Sequence, residues 1–503
     1  MTAEFRGKNL RWWVLATVGF GVFMATLDAS IVNISLPSVM VYFQTTLTVA
    51  EWFILVYLLV ITALLLPFGR LADILGRKKV FSSGLVLFSL GSALCSLSQS
   101  PAQLILFRAV QAIGAAMIMA TGFAIITSVF PPKERGRALG IQGTVVAAGF
   151  TVGPALGGFL ISALGWRSVF YVNVPIGIIG ALMCQRILEE KTVSPLPGEK
   201  RSFDFAGAAL VAIALTALLM GMTTGQEGDW GQPLVVGELI VAAICLTLIP
   251  IWEARSAEPL ISLSMFRNRL FSLGNLAGFL SFLGISANAF LMPLFLQLAM
   301  GFTPLHTGLL MTPTALAIAV VAPLSGWLSD RIGPRILTSL GLAVSAATLV
   351  WISMLSPQAS YQTVLTSLVL LGIGQGLFQS PNNSSVMSSA PRESLGVAGG
   401  FLALMRNMGQ AMGLALAGTI VAGALVGTIG QASLISLSNA APGEKEAILK
   451  AFIAGMHRAY LVAAIACFLG VWASLTRGKQ PTSADIVQEE ESVVHETKRG
   501  NGT

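Results

Sequence analysis

The stretch that decides the fold is Gly69-Arg70-Leu71-Ala72-Asp73-Ile74-Leu75-Gly76-Arg77-Lys78-Lys79, a short charged hairpin between two apolar runs. It recurs, degraded, as Gly326-Trp327-Leu328-Ser329-Asp330-Arg331-Ile332-Gly333-Pro334-Arg335. Gly326, Asp330, Gly333 and Arg335 keep the offsets of Gly69, Asp73, Gly76 and Lys78, with one constant shift of 257 residues. A turn needs glycine and a basic loop needs Lys or Arg, but neither needs an acid at the same place. The recurrence reads as an internal duplication, a common construction among membrane proteins built from repeats.

Outward from the hairpin the chain is apolar. Mean hydropathy is +0.78, and charged residues make up only 11%, against roughly 25% in ordinary soluble domains. A net charge of +7 invites a nucleic-acid reading, which the placement of the charges rejects. The four cysteines, Cys95, Cys184, Cys245 and Cys467, lie far apart in apolar runs and read as packing residues. The three histidines are equally scattered, so no metal site and no cofactor is expected. A membrane-embedded enzyme would want His, Asp or Glu clustered near one membrane face, and the dispersed histidines argue against it.

A spanning helix needs about 20 mostly apolar residues. Such runs occur near 12–36, 50–68, 80–98, 102–129, 137–164, 168–188, 205–223, 234–252, 270–298, 305–328, 336–355, 361–381, 395–428 and 457–475, fourteen in all. The run at 395–428 is long enough for a kink or a short extra segment. Arg6, Lys8 and Arg11 precede the first run as in a signal peptide, but the run is too long and carries Asp28 and Asn33. It reads as a first span that stays. An even number of spans puts both termini on one side. Of the 30 Lys and Arg, twenty-four fall on that side and four on the other, while Arg108 and Arg406 lie within spans. The positive-inside rule then makes both termini cytoplasmic. The basic charge is a topology signal and needs no acidic partner.

Ionisable groups inside spans are functional candidates. Asp28 lies about 24 Å along span 1 from Trp12, in its outer half, with Pro37 expected to end the span. Arg108 of span 4 lies roughly 9 Å below the outer end, at similar depth, so the two opposite charges can pair if spans 1 and 4 face each other. In span 5, Gly149, Gly153 and Gly157 share one helix face, a small-residue surface for close packing. Pro154 frees a backbone carbonyl there and permits a bend, and Gly158 completes a Gly-Pro-x-x-Gly-Gly pattern. The segment Pro131–Arg137 reads as an ordinary turn. Residues 189–204 form the most polar internal linker, ending in Ser202 or Asp204 as a helix cap. Asn33, Gln111, Asn288, Gln297 and Arg406 are polar candidates for lining a substrate cavity, and Arg406 has no obvious acidic partner in the second half. Residues 430–456 form the one long outer loop, in which Glu444 to Ala454 suits a short surface helix. The tail from Gln480 is polar and reads as disordered.

Together these motifs resemble the major facilitator superfamily, in its fourteen-span drug:proton antiporter branch (EmrB/QacA type). The resemblance runs from about residue 10 to 476. The hairpin resembles the superfamily's signature between spans 2 and 3, and Leu27 to Pro37 the span-1 motif of the branch. Arg108 to Ala116 resembles its span-4 motif, and Gly140 to Gly158 the span-5 motif that marks exporters. Residues 166–177, with Trp166-Arg167 and Asn173-Val174-Pro175, resemble a further branch stretch. The resemblance implies an all-α polytopic fold of two six-helix bundles with two additional transmembrane helices. The bundles would span 1–188 and 261–479, with the inserted pair in 189–260 and a cytoplasmic tail at 480–503. It implies proton-coupled efflux of amphipathic drugs or other small molecules across the plasma (inner) membrane. Export of one endogenous metabolite, lipid or siderophore is the alternative. Asp28 would carry the proton, tuned by Arg108. Gly149, Gly153, Pro154, Gly157 and Gly158 would form the antiporter helix. Gly69, Asp73, Gly76 and Arg77, with Asp330 in the second copy, would form a conformational latch, weaker in that copy because Pro334 replaces Arg77. Partners would be substrate, protons and lipid, with a periplasmic adaptor and outer-membrane channel as candidates and no nucleic acid. Spans 10 to 12 lack the extra acid that some members use for dications.

Overall fold

In the computed structural model the described residues are 3–193, 204–227, 231–256, 263–390, 395–429 and 442–478. Fourteen helices are long and apolar enough to cross a membrane. They are α1 (Ala3–Phe43), α2 (Leu47–Leu75), α3 (Arg77–Ser96), α4 (Pro101–Val129), α5 (Pro132–Leu164), α6 (Asn173–Ile187, which spans together with the short helix Ser168–Tyr171 before it), α7 (Phe205–Glu227), α8 (Pro233–Glu253), α9 (Arg269–Leu294), α10 (Pro304–Ile332), α11 (Pro334–Ile352), α12 (Tyr361–Ser388), α13 (Leu395–Ile429) and α14 (Pro442–Thr476). Helices α1 to α6 pack among themselves, as do α9 to α14, and the α7–α8 pair rests against α2 and α13.

Several boundaries differ from the sequence expectation, each for a local reason. Helix α1 continues through Pro37 to Phe43, because a single lost hydrogen bond does not end a helix that packing holds on both sides. The hairpin is hardly a loop. Gly69 to Leu75 complete the last two turns of α2, and Arg77 already begins α3. Gly76 alone makes the turn, at φ +103°, and Gly333 does the same at φ +82°. This is the left-handed region that glycine enters without steric penalty. The segment after Pro131 is the first turn of α5 rather than a loop. Helix α13 is continuous. Residues Glu444 to Ala454 are helical, but as the start of α14 and not as a separate surface helix. Asp204 caps α7, its carboxylate accepting from the Gly207 N–H at 2.8 Å; Ser202, residues 430–441 and the tail beyond 478 lie outside the described residues.

The duplication seen in the hairpin extends into caps and packing. Thr46 and Thr303 cap α2 and α10, accepting from the backbone N–H three residues on, again 257 residues apart. Ser100 and Ser360 cap α4 and α12 in the same way. Gly84 of α3 lies against Gly114 of α4, and Gly341 of α11 lies against Gly374 of α12. In both pairs a methyl group would overlap the opposing backbone, so the helices touch at van der Waals distance. The repeat survives where the helix frame is built.

Helix ends fall into two sets: the terminal end of the bundle, where α1 begins and α14 finishes, and the far end. At the far end one apolar cluster joins the two halves, with Val32 and Phe53 from the first and Phe290, Phe295 and Leu414 from the second. Gly158 of α5 sits against Pro304 and Leu305 of α10, and Gly308 of α10 against the Pro154 carbonyl. Gln297 donates to the Ile34 carbonyl at 3.2 Å across the same seam. Toward the terminal end, Phe123 and Leu66 approach Gly399 and Gly400 of α13.

Candidate functional site

Asp28 is wholly buried, and so are the groups around it. One carboxylate oxygen pairs with Arg108 Nη1 at 2.5 Å. The other accepts from Gln111 Nε2 at 2.9 Å and from Asn173 Nδ2 at 2.7 Å. Helices α1, α4 and α6 therefore converge on one carboxylate. Arg108 is held further by the Phe53 carbonyl at 2.9 Å and Gln111 Oε1 at 2.6 Å, with its guanidinium 4.2 Å from the centre of the Tyr57 ring. Tyr57 in turn donates to the Ala25 carbonyl at 3.0 Å, and Ser92 receives Gln111 Nε2 at 2.5 Å. A charge pair out of water is held only when its remaining polar atoms are also answered, and this network answers most of them.

The spacing Arg108, Gln111 places both side chains on one face of α4. The sequence reading paired Asp28 with Arg108 by depth alone and set Gln111 apart as a cavity residue. The structure brings Gln111 into the Asp28 cluster. The sequence reading assigned no role to Asn173, Tyr57 or Ser92. Asn173 was legible as an unusual polar residue within Asn-Val-Pro at the head of α6; nothing in sequence marks Tyr57. Asn173 Oδ1 has no partner among the described residues. An amide donates through nitrogen and accepts through oxygen. By flipping, Asn173 can serve the ionised or the protonated carboxyl.

The α5 glycine face stacks on the turn of α1 that carries Asp28. Gly149 meets Thr26, Gly153 meets Ser30, and Gly157 meets Ile31. Pro154 has no N–H, so the Phe150 carbonyl loses its helical donor. Ser30 Oγ supplies one at 3.1 Å. Gly158 faces the α10 seam instead. The four glycines and Pro154 thus join the Asp28 turn to the junction between halves.

The remaining candidates do not share one cavity. Asn288 is buried in the second half, accepting from Tyr460 OH at 3.2 Å. Gln297 is in the far-end seam. Asn33 is half-buried, its Nδ2 3.4 Å from the Ala29 carbonyl. Arg406 lines a narrow cavity between the halves with residues of α1, α4 and α5. In the hairpin, Arg77 pairs with Asp73 at 2.8 Å and donates to the Ala124 and Val193 carbonyls, tying α2 and α3 to α4 and to the short helix Glu190–Val193. Gly69 has open space around it. The side chain of Asp330 lies outside the described residues.

The Major Facilitator Superfamily family model matches residues 18–414 and 275–499. The chain belongs to that superfamily. It is 34% identical over 461 residues to riboflavin transporter RibZ of Clostridioides difficile (strain 630), covering 92% of this chain and 96% of that one. It is 34% identical over 416 residues to multidrug resistance protein Stp of Mycobacterium tuberculosis (strain CDC 1551 / Oshkosh), covering 82% and 76%. It is 29% identical over 499 residues to the tetracenomycin C resistance and export protein of Streptomyces glaucescens, covering 93% and 92%. The fourteen spans and these relatives place it in the fourteen-span branch that its motifs resemble. The fold matches a bacterial homolog of the human lysosomal transporter Spinster, in an inward-facing and unoccupied conformation, with TM-score 0.66 at 19% identity, covering 94% of this chain and 99% of that one. It is a multi-pass membrane transporter of small molecules.

Proposed function

We propose that this transporter exports amphipathic small molecules in exchange for protons, with Asp28 as the proton-linked carboxylate. The observation that carries the reading is the wholly buried Asp28–Arg108–Gln111–Asn173 cluster stacked on the glycine face of α5. The two halves are residues 1–188 and 261–479, with α7 and α8 inserted between them, and both termini face the cytoplasm. Asp28 is sealed in this conformation, so it exchanges protons only when the halves rearrange. A proton arriving on Asp28 removes the counter-charge of Arg108, which keeps its bonds to Phe53 and Gln111. The tie between α1 and α4 weakens. Through Thr26, Ser30 and Ile31 the change passes to α5, and through Gly158 and Pro154 to α10. Proton and substrate then favour opposite conformations of one cavity. The membrane potential contributes about 2.3 kcal/mol per charge per 100 mV.

A second reading, export of one cellular metabolite, draws on the relative named as a riboflavin transporter. The test of the first reading is Asp28→Asn in proteoliposomes. We expect normal yield and thermal stability close to wild type, with pH-gradient-driven efflux abolished; unchanged transport overturns the assignment. A susceptibility panel with and without the gene separates a broad from a single substrate.

A further inference from the structure

The cavity between the halves holds a cation that nothing in the described fold neutralises. Arg406 of α13 faces Val22 of α1, Met119 and Phe123 of α4, and Gln142 and Val146 of α5. Its Nε has no hydrogen-bond partner, and no described carboxylate pairs with it. Arg406 is half-buried, and the fully buried arginines are differently placed. Arg108 has Asp28. Arg477 donates to Asn382 Oδ1 at 3.0 Å and Thr338 Oγ1 at 2.7 Å, stapling α14 to α12 and α11. Arg406 makes no such bond among the described residues. On the other wall, Gln142 is 2% exposed, and its Oε1 also lacks a partner.

We infer that Arg406 recognises substrate, and that the substrates are amphipathic organic anions that also carry a hydrogen-bond donor. This names the substrate class of the export reading and depends on that reading only for the direction of transport. An unneutralised guanidinium inside a membrane protein is strongly unfavourable and marks a functional site. A ligand anion neutralises Arg406, its donor satisfies Gln142 Oε1, and its apolar body packs on Val22, Met119, Phe123 and Val146. In this conformation the cavity has room for about one water. Substrate therefore enters when the halves part. Because Arg406 belongs to the second half and the other walls to the first, a bound anion draws the halves together.

Equilibrium binding tests this without requiring transport. Full-length protein in detergent is titrated against NBD-aminohexanoate, its neutral primary amide and the matching NBD-hexylammonium, read by fluorescence anisotropy with protein-free micelles subtracted. The carboxylate should bind tighter than the amide by roughly tenfold to a hundredfold, the worth of a charge-assisted hydrogen bond, and the ammonium weakest. Arg406→Gln should remove the preference, weakening the carboxylate far more than the amide, and Arg406→Lys should restore part of it. Equal affinities, preference for the cation, no measurable binding of the carboxylate, or a preference intact in Arg406→Gln overturns the inference. Because Asp28→Asn is read by efflux and Arg406→Gln by binding, failure of the coupling reading leaves the anion preference separately decided.

Discussion

Replacing Gly153 by alanine tests whether the glycine face of α5 is a fitted surface for the Asp28 turn. A methyl group there lies 2.6 Å from Ser30 Cβ and overlaps Ser30 Oγ. Carbon atoms prefer about 3.5–4.0 Å, so α1 and α5 must separate by about 1 Å. Overpacking of this kind costs about 1–3 kcal/mol. The separation also breaks the Ser30 bond to the Phe150 carbonyl that Pro154 leaves open, a further loss of about 1 kcal/mol. The expected total is about 2–4 kcal/mol. Gly157→Ala should lose less, about 1 kcal/mol, because its obstacle is the rotatable Ile31 Cγ1 at 2.7 Å. Ser30→Gly removes both atoms that Gly153→Ala strikes. The double variant should therefore recover the overpacking part, a coupling of about 1–3 kcal/mol. Thermal unfolding of the purified variants reads the ranking, and efflux in proteoliposomes reads the consequence for cycling. Wild-type stability in Gly153→Ala, or no recovery with Ser30→Gly, would refute the fitted contact.

The two turn glycines give a matched comparison. Gly76→Ala combines left-handed backbone strain, about 1–2 kcal/mol, with a methyl 2.8 Å from the Glu190 carboxyl carbon, whereas Gly333→Ala meets nothing within 4 Å. Thermal unfolding should show Gly76→Ala the more destabilised; equal losses would refute the Glu190 contact. Asp73→Asn should leave the protein folded but shift the inward–outward equilibrium, because it weakens the pair that holds Arg77 on the Ala124 and Val193 carbonyls. Accessibility of single cysteines at the two ends reads that shift, and a wild-type pattern would reduce the hairpin to a topology signal.

Fold class was legible because membrane burial imposes one rule: long apolar runs must be helices. The hairpin repeat exposed the duplication because turn glycines leave sequence marks. Helix ends were less legible. Pro37 suggested a stop, but packing against α5 and the far-end cluster keeps α1 helical to Phe43. Asp28 and Arg108 were found because a charge in a span stands out and depth can be counted. Gln111, Asn173 and Tyr57 could not be gathered around them, since depth says nothing about which helices face each other. The polar cavity residues scattered for the same reason. Gln297 belongs to a seam and Asn288 to the second half's packing, and only rotation about each helix axis separates those roles.

The two halves repeat their contacts but not their charges. Counted from the matched glycines Gly114 and Gly374, Arg108 and Gln111 of α4 correspond to Leu368 and Leu371 of α12. Gly180 meets Phe20 and Leu85 in the first half, as Gly470 meets Leu280 and Leu342 in the second. Eight residues on from Phe20 stands Asp28; eight on from Leu280 stands Asn288, whose partner is a tyrosine hydroxyl. A second buried ion pair would add little stability, because desolvation roughly cancels attraction. Among the described residues the second half shows no buried ion pair, and the packing frame stays symmetric. A frame symmetric in packing can rock about its seam, and under the proposed coupling a proton on Asp28 would bias only one side. The contact between α5 and α10, where Gly158 and Gly308 let the two backbones touch, would carry that bias across. Under that proposal one carboxylate would be sufficient to set the state of both halves.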